Sequence, residues 1–148
     1  MQTVLEEGIY NELELYSAAK RASIFIDRKN NCVIVQATDT YIPIEEFKII
    51  FHKVGEFVKQ NDQIEKLVFD KRSLKVFHQP SMEWYFTQWK MDVFQYGLKK
   101  HRKLLPEDEV FRDSVKIGRE KILRENPDLD LDKLDIRYYE SLKEALEN

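Results

Sequence analysis

The chain has 148 residues, of which 43% are hydrophobic and 34% are charged, and its formal net charge is -3. This composition is typical of a globular protein with a charged surface and excludes an intrinsically disordered chain. The weak negative charge argues against a general nucleic-acid binder. The length suits a single domain, Met1–Asn148, with a buried core.

Cysteine use and hydropathy favour a cytoplasmic protein. Cys32 is the one cysteine of the sequence, which excludes an internal disulfide framework. It precedes the apolar residues Val33, Ile34 and Val35, so we expect a small buried residue rather than a reactive thiol. Residues 1–10 are acidic and lack the apolar segment of a signal peptide. No stretch approaches the roughly 18 apolar residues of a membrane span.

The first half of the chain predicts a strand, a hairpin and a helix. Apolar and polar residues alternate over residues 11–17, which predicts a half-buried strand. Two β-rich runs, Ala22–Asp27 and Cys32–Ala37, flank polar turn residues and predict a hairpin. Apolar residues then recur at helical spacing from Pro43, a good first helical residue, to about Gln60.

The second half alternates strands and helices. Residues 65–70 predict a strand, and Ser81 and Gly97 fit the two caps of the following helix. The buried stripe predicted for that helix is Met82, Tyr85, Phe86, Trp89, Val93 and Tyr96. Residues 98–105 predict a strand, which ends at Pro106.

Residues 106–109 form a helix-start signature. The helix that they begin places four residues on one face, Phe111, Val115, Gly118 and Ile122, and Gly118 would allow a close approach to the sheet. Residues 136–139 predict the last strand and residues 141–146 a short terminal helix. This order predicts a single α/β domain, in which helices pack around a mixed sheet with right-handed parallel crossovers.

The sequence offers no catalytic or metal-binding constellation. Asp128, Asp130 and Asp132 resemble part of a calcium loop, but the glycine and the glutamate that such a loop requires are missing. There is no nucleophile elbow and no glycine-rich phosphate loop. Ser73, His78 and Asp70 could be drawn as a triad, although nothing in their spacing specifies one. We predict no catalytic residue, no metal and no cofactor.

Residues 64–95 are the predicted functional region. They contain a strand, the loop after it and an aromatic helix, and ligands in α/β sheets tend to bind beyond strand ends. Trp89 is predicted to be core, whereas Trp84 lies on a second face that either forms an interface or is covered by a neighbouring segment. The predicted contact residues for a partner or ligand are Asp70, Lys71, Arg72, Ser73, His78 and Trp84.

Residues 99–103, Lys-Lys-His-Arg-Lys, are the strongest local charge feature. This basic run could meet phosphates, an acidic partner or anionic lipid. We interpret it instead as the solvated end of an edge strand, where lysines prevent pairing with another chain.

Five short sequence patterns follow one another along nearly the whole chain. They are Ile44-Glu45-Glu46-Phe47, Lys66-Leu67-Val68-Phe69-Asp70, Trp89, Gly97-Leu98-Lys99 and Tyr139-Glu140-Ser141-Leu142-Lys143-Glu144-Ala145-Leu146. In this order they resemble the STAS-like proteins related to bacterial anti-sigma-factor antagonists, specifically the SpoIIAA-like group.

The resemblance implies a mixed sheet of four or five strands with helices packed around it. It also implies binding to other proteins under the control of a phosphorylated serine, while some relatives carry small or lipid-like apolar ligands. The family pattern places an aspartate one residue from that serine, immediately before the helix. Here two residues separate Asp70 from Ser73, and the helix begins later, at Ser81. We therefore predict a plain loop serine at Ser73 and a plain cap at Ser81 rather than phospho-acceptors.

These observations predict a non-catalytic cytoplasmic regulatory or protein-interaction module. It would present the loop over residues 70–81 and the Trp84 helix to an unidentified protein partner. The alternatives are a binder of a small apolar or anionic, lipid-like ligand near the same loop, and an enzyme of unrecognised type. A tunnel lined by aromatic residues would favour the ligand-binding function. A filled core with an exposed Trp84 would favour the protein-interaction function.

Overall fold

A six-stranded sheet organises residues 8–148, which are the residues that this computed structural model describes. Residues 8–12 are helical and precede the first strand. Residues 1–7 of the acidic segment, for which the sequence predicts no signal peptide, lie outside the described residues. The strands are β1 (Glu14–Ala18), β2 (Ala22–Asp27), β3 (Cys32–Ala37), β4 (Lys66–Asp70), β5 (Lys100–Leu104) and β6 (Asp135–Tyr139).

Every strand pairs with its neighbours in sequence, so the order across the sheet is β1-β2-β3-β4-β5-β6. The pairs β1–β2 and β2–β3 are antiparallel. The pairs β3–β4, β4–β5 and β5–β6 are parallel. Parallel neighbours need a crossover connection, and each of these crossovers contains helix. The mixed α/β sheet predicted from the sequence is confirmed.

The helices fall into three crossovers and a terminal element. They are α1 (Ile44–Gln60), α2 (Gln79–Trp84), a π-helical turn (Tyr85–Trp89), α3 (Lys90–Phe94), α4 (Glu109–Glu125), a 3-10 turn (Leu131–Lys133) and α5 (Leu142–Glu147). The segments α2, the π-helical turn and α3 are continuous, and we call them together the central helix.

Two hydrophobic cores lie on opposite faces of the sheet. Successive residues of a strand point to opposite faces, so Val33 and Val35 enter the larger core while Cys32 and Ile34 enter the smaller one. The larger core packs the sheet against α1, the central helix and α4. The smaller core packs it against α5 and Tyr10. The middle of the sheet is thus covered on both sides.

The strongly periodic elements were predicted well. The hairpin strands and the end of α1 have the predicted bounds. The face of α4 that carries Phe111, Val115, Gly118 and Ile122 is buried as predicted. However, a Cβ at Gly118 would meet Gln79 and Met82. Gly118 therefore allows close approach to α2 rather than to the sheet.

Three local predictions were wrong. β1 begins at Glu14 because residues 8–12 are helical, and Leu15 is 56% exposed rather than half-buried. The central helix begins at Gln79, since proline suits the first turn of a helix, so Ser81 is buried inside it and does not cap it. Tyr96 is exposed and does not continue the buried stripe.

Gly97 ends the central helix, as predicted, in a left-handed conformation with φ of 101°. The Leu98 N–H donates to the Val93 carbonyl at 3.2 Å, and the Gly97 N–H donates to the Phe94 carbonyl at 3.1 Å. These two bonds form a Schellman motif, which satisfies carbonyls that the helix end leaves unpaired.

We expect Gly97→Ala to lower the free energy of unfolding by about 1–2 kcal/mol, because a side chain disfavours the left-handed conformation. An added Cβ would have no atom within 4 Å, so the cost is conformational rather than steric. Urea denaturation measures the change. Gly8→Ala is the matched control, since its added Cβ also meets nothing within 4 Å. An equal loss in both variants would contradict this account.

Candidate functional site

Four of the five residues of the basic run over residues 99–103 lie in β5, an interior strand of the sheet. β5 pairs with β4 on one side and β6 on the other. His101, Arg102 and Lys103 are each only 1% exposed. An interior parallel strand is covered on both faces, so the interpretation of this run as the solvated end of an edge strand was wrong.

The cations on the α5 face of the sheet have partners. Arg102 donates to the Asp135 carboxylate and to the Asn148 carbonyl, both at 2.9 Å. Lys66 donates to the carbonyl of Ala145 at 3.0 Å. The last carbonyls of a helix lack intrahelical partners and favour nearby cations. Lys66 and Arg102 therefore have a structural role, which is to cap α5.

Three lysines on the opposite face converge from three different elements. Lys71 follows β4, Lys90 begins α3 and Lys103 lies near the end of β5. Lys71 and Lys90 are fully buried and Lys103 is 1% exposed. We call their three side-chain nitrogens the amine cluster. It lies at the carboxyl ends of two adjacent parallel strands, where α/β sheets commonly bind ligands.

Aromatic rings surround the amine cluster. The Nζ atoms of Lys90 and Lys103 lie 3.9 Å and 4.6 Å from the centre of the Phe86 ring. The Nζ atom of Lys71 lies 4.6 Å from the centre of the Phe77 ring. Such contacts stabilise a cation by about 0.5–2 kcal/mol, which is less than the cost of removing it from water.

The backbone fixes where these lysines point. The Lys71 N–H donates to the Leu104 carbonyl at 2.8 Å, which continues the sheet pairing one residue past β4. Lys71 thus points to the same face as Phe69, and its neighbour Asp70 points to the other. The Lys90 N–H donates to the Tyr85 carbonyl, which closes the π-helical turn. Such turns are frequent at functional sites.

Burial dominates the electrostatics of the amine cluster. It lowers the pKa of Lys71, Lys90 and Lys103 well below the usual lysine range. Like charges add to this effect, because Lys103 and Arg119 lower the pKa of Lys71, and Lys71 and Arg119 lower that of Lys90. Two ammonium groups cannot hydrogen-bond to each other, since neither has a lone pair.

The amine cluster is costly in either protonation state. Holding one lysine neutral at pH 7 costs about 4–5 kcal/mol, because pH 7 lies roughly 3.4 units below the ordinary lysine pKa. Leaving it charged and unpaired in the interior costs several kcal/mol as well. A whole domain is stable by only about 5–15 kcal/mol. Such an arrangement is expected at a functional site, where stability is given up for binding.

Several buried side-chain nitrogen and oxygen atoms of the described residues, including two amines of the cluster, have no hydrogen-bond partner in the protein. They belong to Lys71, Tyr85, Lys90, His101 and Arg102. Burial, together with the nearby Lys90 and Lys103 charges, lowers the pKa of His101 well below its usual range. Burial also raises the pKa of Tyr85, so its hydroxyl stays protonated and can donate. Four of these five residues lie in or beside the amine cluster.

Asp70 and Arg72, two of the predicted contact residues, form a paired unit on the α5 face. The Tyr10 hydroxyl donates to Asp70 Oδ2 at 2.8 Å. Arg72 donates to both carboxylate oxygens, through Nε at 2.9 Å and Nη2 at 2.8 Å. This bidentate geometry anchors the start of the loop beside Lys71. Lys71 itself is buried, so it lies outside any exposed contact surface.

The predicted serines have different surroundings. The Ser73 hydroxyl lies 2.8 Å from the carbonyl oxygens of both Ala37 and Asp39 and ties the loop to the end of β3. Ser81 is fully buried, and its hydroxyl lies 3.3 Å from Nδ1 of His78. His78 is half-buried and caps the central helix by position.

The two tryptophans occupy different positions. Trp89 is core, as predicted, and its Nε1 donates to the Phe51 carbonyl at 2.6 Å. Trp84 is half-buried, with its ring 6.1 Å from that of Phe47. It borders a surface groove of about 300 Å³ between α1 and the central helix, which is also lined by His52, Gly55, Glu56, Lys59, Gln88, Trp89 and Asp92.

Other sequence-based expectations concern the thiol, metals and membranes. Cys32 is fully buried, as predicted, and burial raises the pKa of its thiol to about 12. Within residues 8–148, no three His, Cys, Asp or Glu side chains are grouped to hold a metal ion. The same residues contain no helix with the length and apolar character needed to span a membrane.

Sequence reasoning did not select Lys90, His101, Lys103 or Tyr85 as site residues. The sequence nevertheless contains a signal for Lys90 and another for Lys103. Lys90 follows Phe86 by four positions and so falls on the buried stripe of the central helix. Lys103 lies in a strand that alternation with helices would place inside a parallel sheet. A charged residue at a position patterned for burial is the signal that identifies this site.

No family model, curated protein or solved structure matches the chain. The resemblance to STAS-like proteins stays a prediction.

We expect Lys90→Met to raise the free energy of unfolding at neutral pH by about 1–4 kcal/mol, because a similar apolar volume replaces a desolvated amine. The Lys90 pKa is lower in the folded than in the unfolded chain, so the unfolded chain binds more protons. The stability of the wild type should therefore rise relative to Lys90→Met between about pH 7 and pH 9, by up to about 1.4 kcal/mol per pH unit.

Urea denaturation across this pH range measures both effects. The control is Lys75→Met, which removes an exposed lysine from the same loop as Lys71 and should leave stability and its pH dependence unchanged. A destabilised Lys90→Met protein with the pH dependence of the wild type would show that the amine is charged and paired.

Proposed function

We propose that the protein is a non-catalytic binding module for a small anionic ligand, which the amine cluster holds between the sheet and the central helix. The observation that carries this proposal is the convergence of Lys71, Lys90 and Lys103 in the interior without a counter-charge. Within the described residues, the charged groups that act on the amines of Lys71 and Lys90 are all cationic. A bound anion would supply the missing charge and accept their hydrogen bonds.

The position of the amine cluster supports the same proposal. Lys71 and Lys103 extend from adjacent parallel strands, at the edge of the sheet where ligands usually bind. The predicted functional region, residues 64–95, contributes Lys71 and Lys90. The position of these lysines supports the ligand-binding alternative drawn from the sequence.

Arg119 provides a connection from the amine cluster to the surface. Its positive charge contributes to the lowered pKa of all three lysines. It is half-buried, and its Nη1 donates to the exposed Tyr138 hydroxyl at 2.6 Å. We propose that the ligand enters beside this pair, whose hydrogen bond links α4 to β6 at the surface.

Thermal unfolding with added anions tests the proposed function. We expect at least one of acetate, sulfate and phosphate to raise Tm by about 5–10 °C at a concentration near 100 times its Kd, because a ligand of the folded state stabilises it by about 2.7 kcal/mol under these conditions. Sodium chloride keeps the ionic strength constant. The shift should disappear in Lys103→Met and persist in the exposed-lysine control Lys75→Met. Equal shifts in both variants, or none in the wild type, would contradict the proposal.

The second candidate function is the protein-interaction module predicted from the sequence. The groove beside Trp84 favours it, because a half-buried tryptophan next to an open concave surface is a frequent anchor for a protein partner. The Lys48 ammonium lies 5.7 Å from the centre of the Trp84 ring and holds it at the groove margin.

A pull-down from native lysate tests this second candidate with substitutions that leave the core intact. We expect the double variant His52→Ala and Gln88→Arg to lose a partner that the wild type retains, since both exposed residues line the groove. Lys116→Ala, an exposed change on α4, is the control. The same set of recovered proteins for wild type, double variant and control would argue against a partner at this groove.

A further inference from the structure

We infer that the group held by the amine cluster is a phosphoryl group with two negative charges, contacted by Lys71, Lys90 and Lys103 together. This inference rests on the proposed function of the same site and names its ligand class.

Charge balance favours a phosphoryl group over a carboxylate. Three lysines face the site, and the positive charge of Arg119 acts on each of them as well. A carboxylate carries one negative charge, whereas a phosphoryl group carries about 1.5–2 near pH 7. In a poorly solvated interior, each uncompensated charge remains costly. A dianion therefore relieves more of the repulsion among the amines.

Donor geometry favours the same group. Each lysine amine is a donor with three N–H bonds, and the three amines arrive from the loop after β4, from α3 and from β5. A tetrahedral phosphoryl group offers at least three oxygens in different directions, so each amine can contact its own oxygen. The two oxygens of a carboxylate lie in one plane. The buried Tyr85 hydroxyl lacks a protein partner and is a further donor beside the cluster.

The aromatic surroundings restrict the size of the bound group. The Lys90 and Lys103 amines both lie over the rings of Tyr85 and Phe86, at 3.9–5.4 Å from the ring centres. Apolar rings at these distances exclude bulk water, so a group that binds beside the amines has to be compact. Inorganic phosphate and a small phosphate monoester share this chemistry, and they differ only in whether an organic part extends toward Arg119 and Tyr138.

Binding should be coupled to proton uptake. The titratable and charged groups that act on the site are Lys71 from the loop after β4, Tyr85 and Lys90 from the central helix, His101 and Lys103 from β5, and Arg119 from α4. In the free protein, burial holds the lysine pKa values low. An adjacent dianion favours the charged amines and raises these pKa values, so binding takes up protons and weakens as the pH rises.

Isothermal titration calorimetry tests the inference with the full chain and four probes: inorganic phosphate, glycerol 3-phosphate, sulfate and acetate. We expect phosphate or glycerol 3-phosphate to bind at least about ten-fold more tightly than acetate at constant ionic strength. Tighter binding of inorganic phosphate would assign a free anion, and tighter binding of glycerol 3-phosphate a monoester. Titrations in two buffers of different ionisation enthalpy should show net proton uptake.

Matched variants locate the binding. Lys90→Met and Lys103→Met should each weaken phosphate binding at least about ten-fold, and Lys75→Met should leave it unchanged. Far-ultraviolet circular dichroism confirms folding. The wild-type comparison of probes and buffers requires no variant, so the inference can be rejected even if the substituted proteins do not fold.

The relative affinities of the four anions show whether the phosphoryl assignment fails alone or together with the proposed function. Acetate that binds more tightly than the phosphates and depends on Lys103 would overturn the phosphoryl assignment and leave the anion-binding module intact. Sulfate that binds ten-fold more tightly than both phosphates would also overturn it. If none of the four anions binds the wild type, both the inference and the proposed function fail.

Discussion

The position of β5 between two parallel neighbours is the constraint on which the rest of the structure depends. Parallel pairing on both sides removes the faces of this strand from water, although its sequence is one of the most basic stretches of the chain. Alternation of side chains then sends Arg102 to the α5 face and His101 and Lys103 to the face of the central helix. Each face must accommodate buried positive groups.

The two faces accommodate these groups in different ways. On the α5 face, Arg102 and Lys66 reach the last carbonyls of a helix, and Arg102 also pairs with Asp135. Their charges stabilise the packing of α5 on the sheet. On the other face, Lys103 joins two more lysines among aromatic rings. On the α5 face only Arg102 Nε lacks a partner among the described cation nitrogens of Lys66 and Arg102, whereas on the other face the Nζ atoms of Lys71 and Lys90 both lack one, at a cost in stability.

The surroundings of the amine cluster form a rigid frame. Asp70 is held by Tyr10 and Arg72, and Ser73 ties the next part of the loop to the end of β3. Lys71 lies between these two anchors, and its own N–H extends the sheet. Donors held in place by such anchors lose little conformational freedom when they bind a ligand. Asp70, Arg72 and Ser73, which were selected from the sequence, thus anchor the loop on both sides of Lys71.

The sequence by itself determined the elements whose signals are local. Hairpin strands follow from β-rich runs around a turn, and the buried face of α4 follows from helical spacing, because both patterns depend on residues only a few positions apart. It also determined the mixed α/β fold class. The region chosen from the sequence, residues 64–95, contains Lys71 and Lys90, two of the three lysines of the amine cluster. The N-cap of the central helix was predicted at Ser81, three residues after the observed cap His78, since Pro80 and Ser81 each give a local signal for a helix start.

Only the tertiary structure decided the site. Whether β5 is an edge or an interior strand depends on where β6 pairs, and β6 lies beyond the whole of α4 in the chain. The same basic residues would be solvated at an edge and are buried in the middle. The approach of Lys71, Lys90 and Lys103 likewise requires three elements to pack together. Burial and like-charge repulsion, which lower the pKa of these amines, arise from that packing and not from any single segment of the sequence.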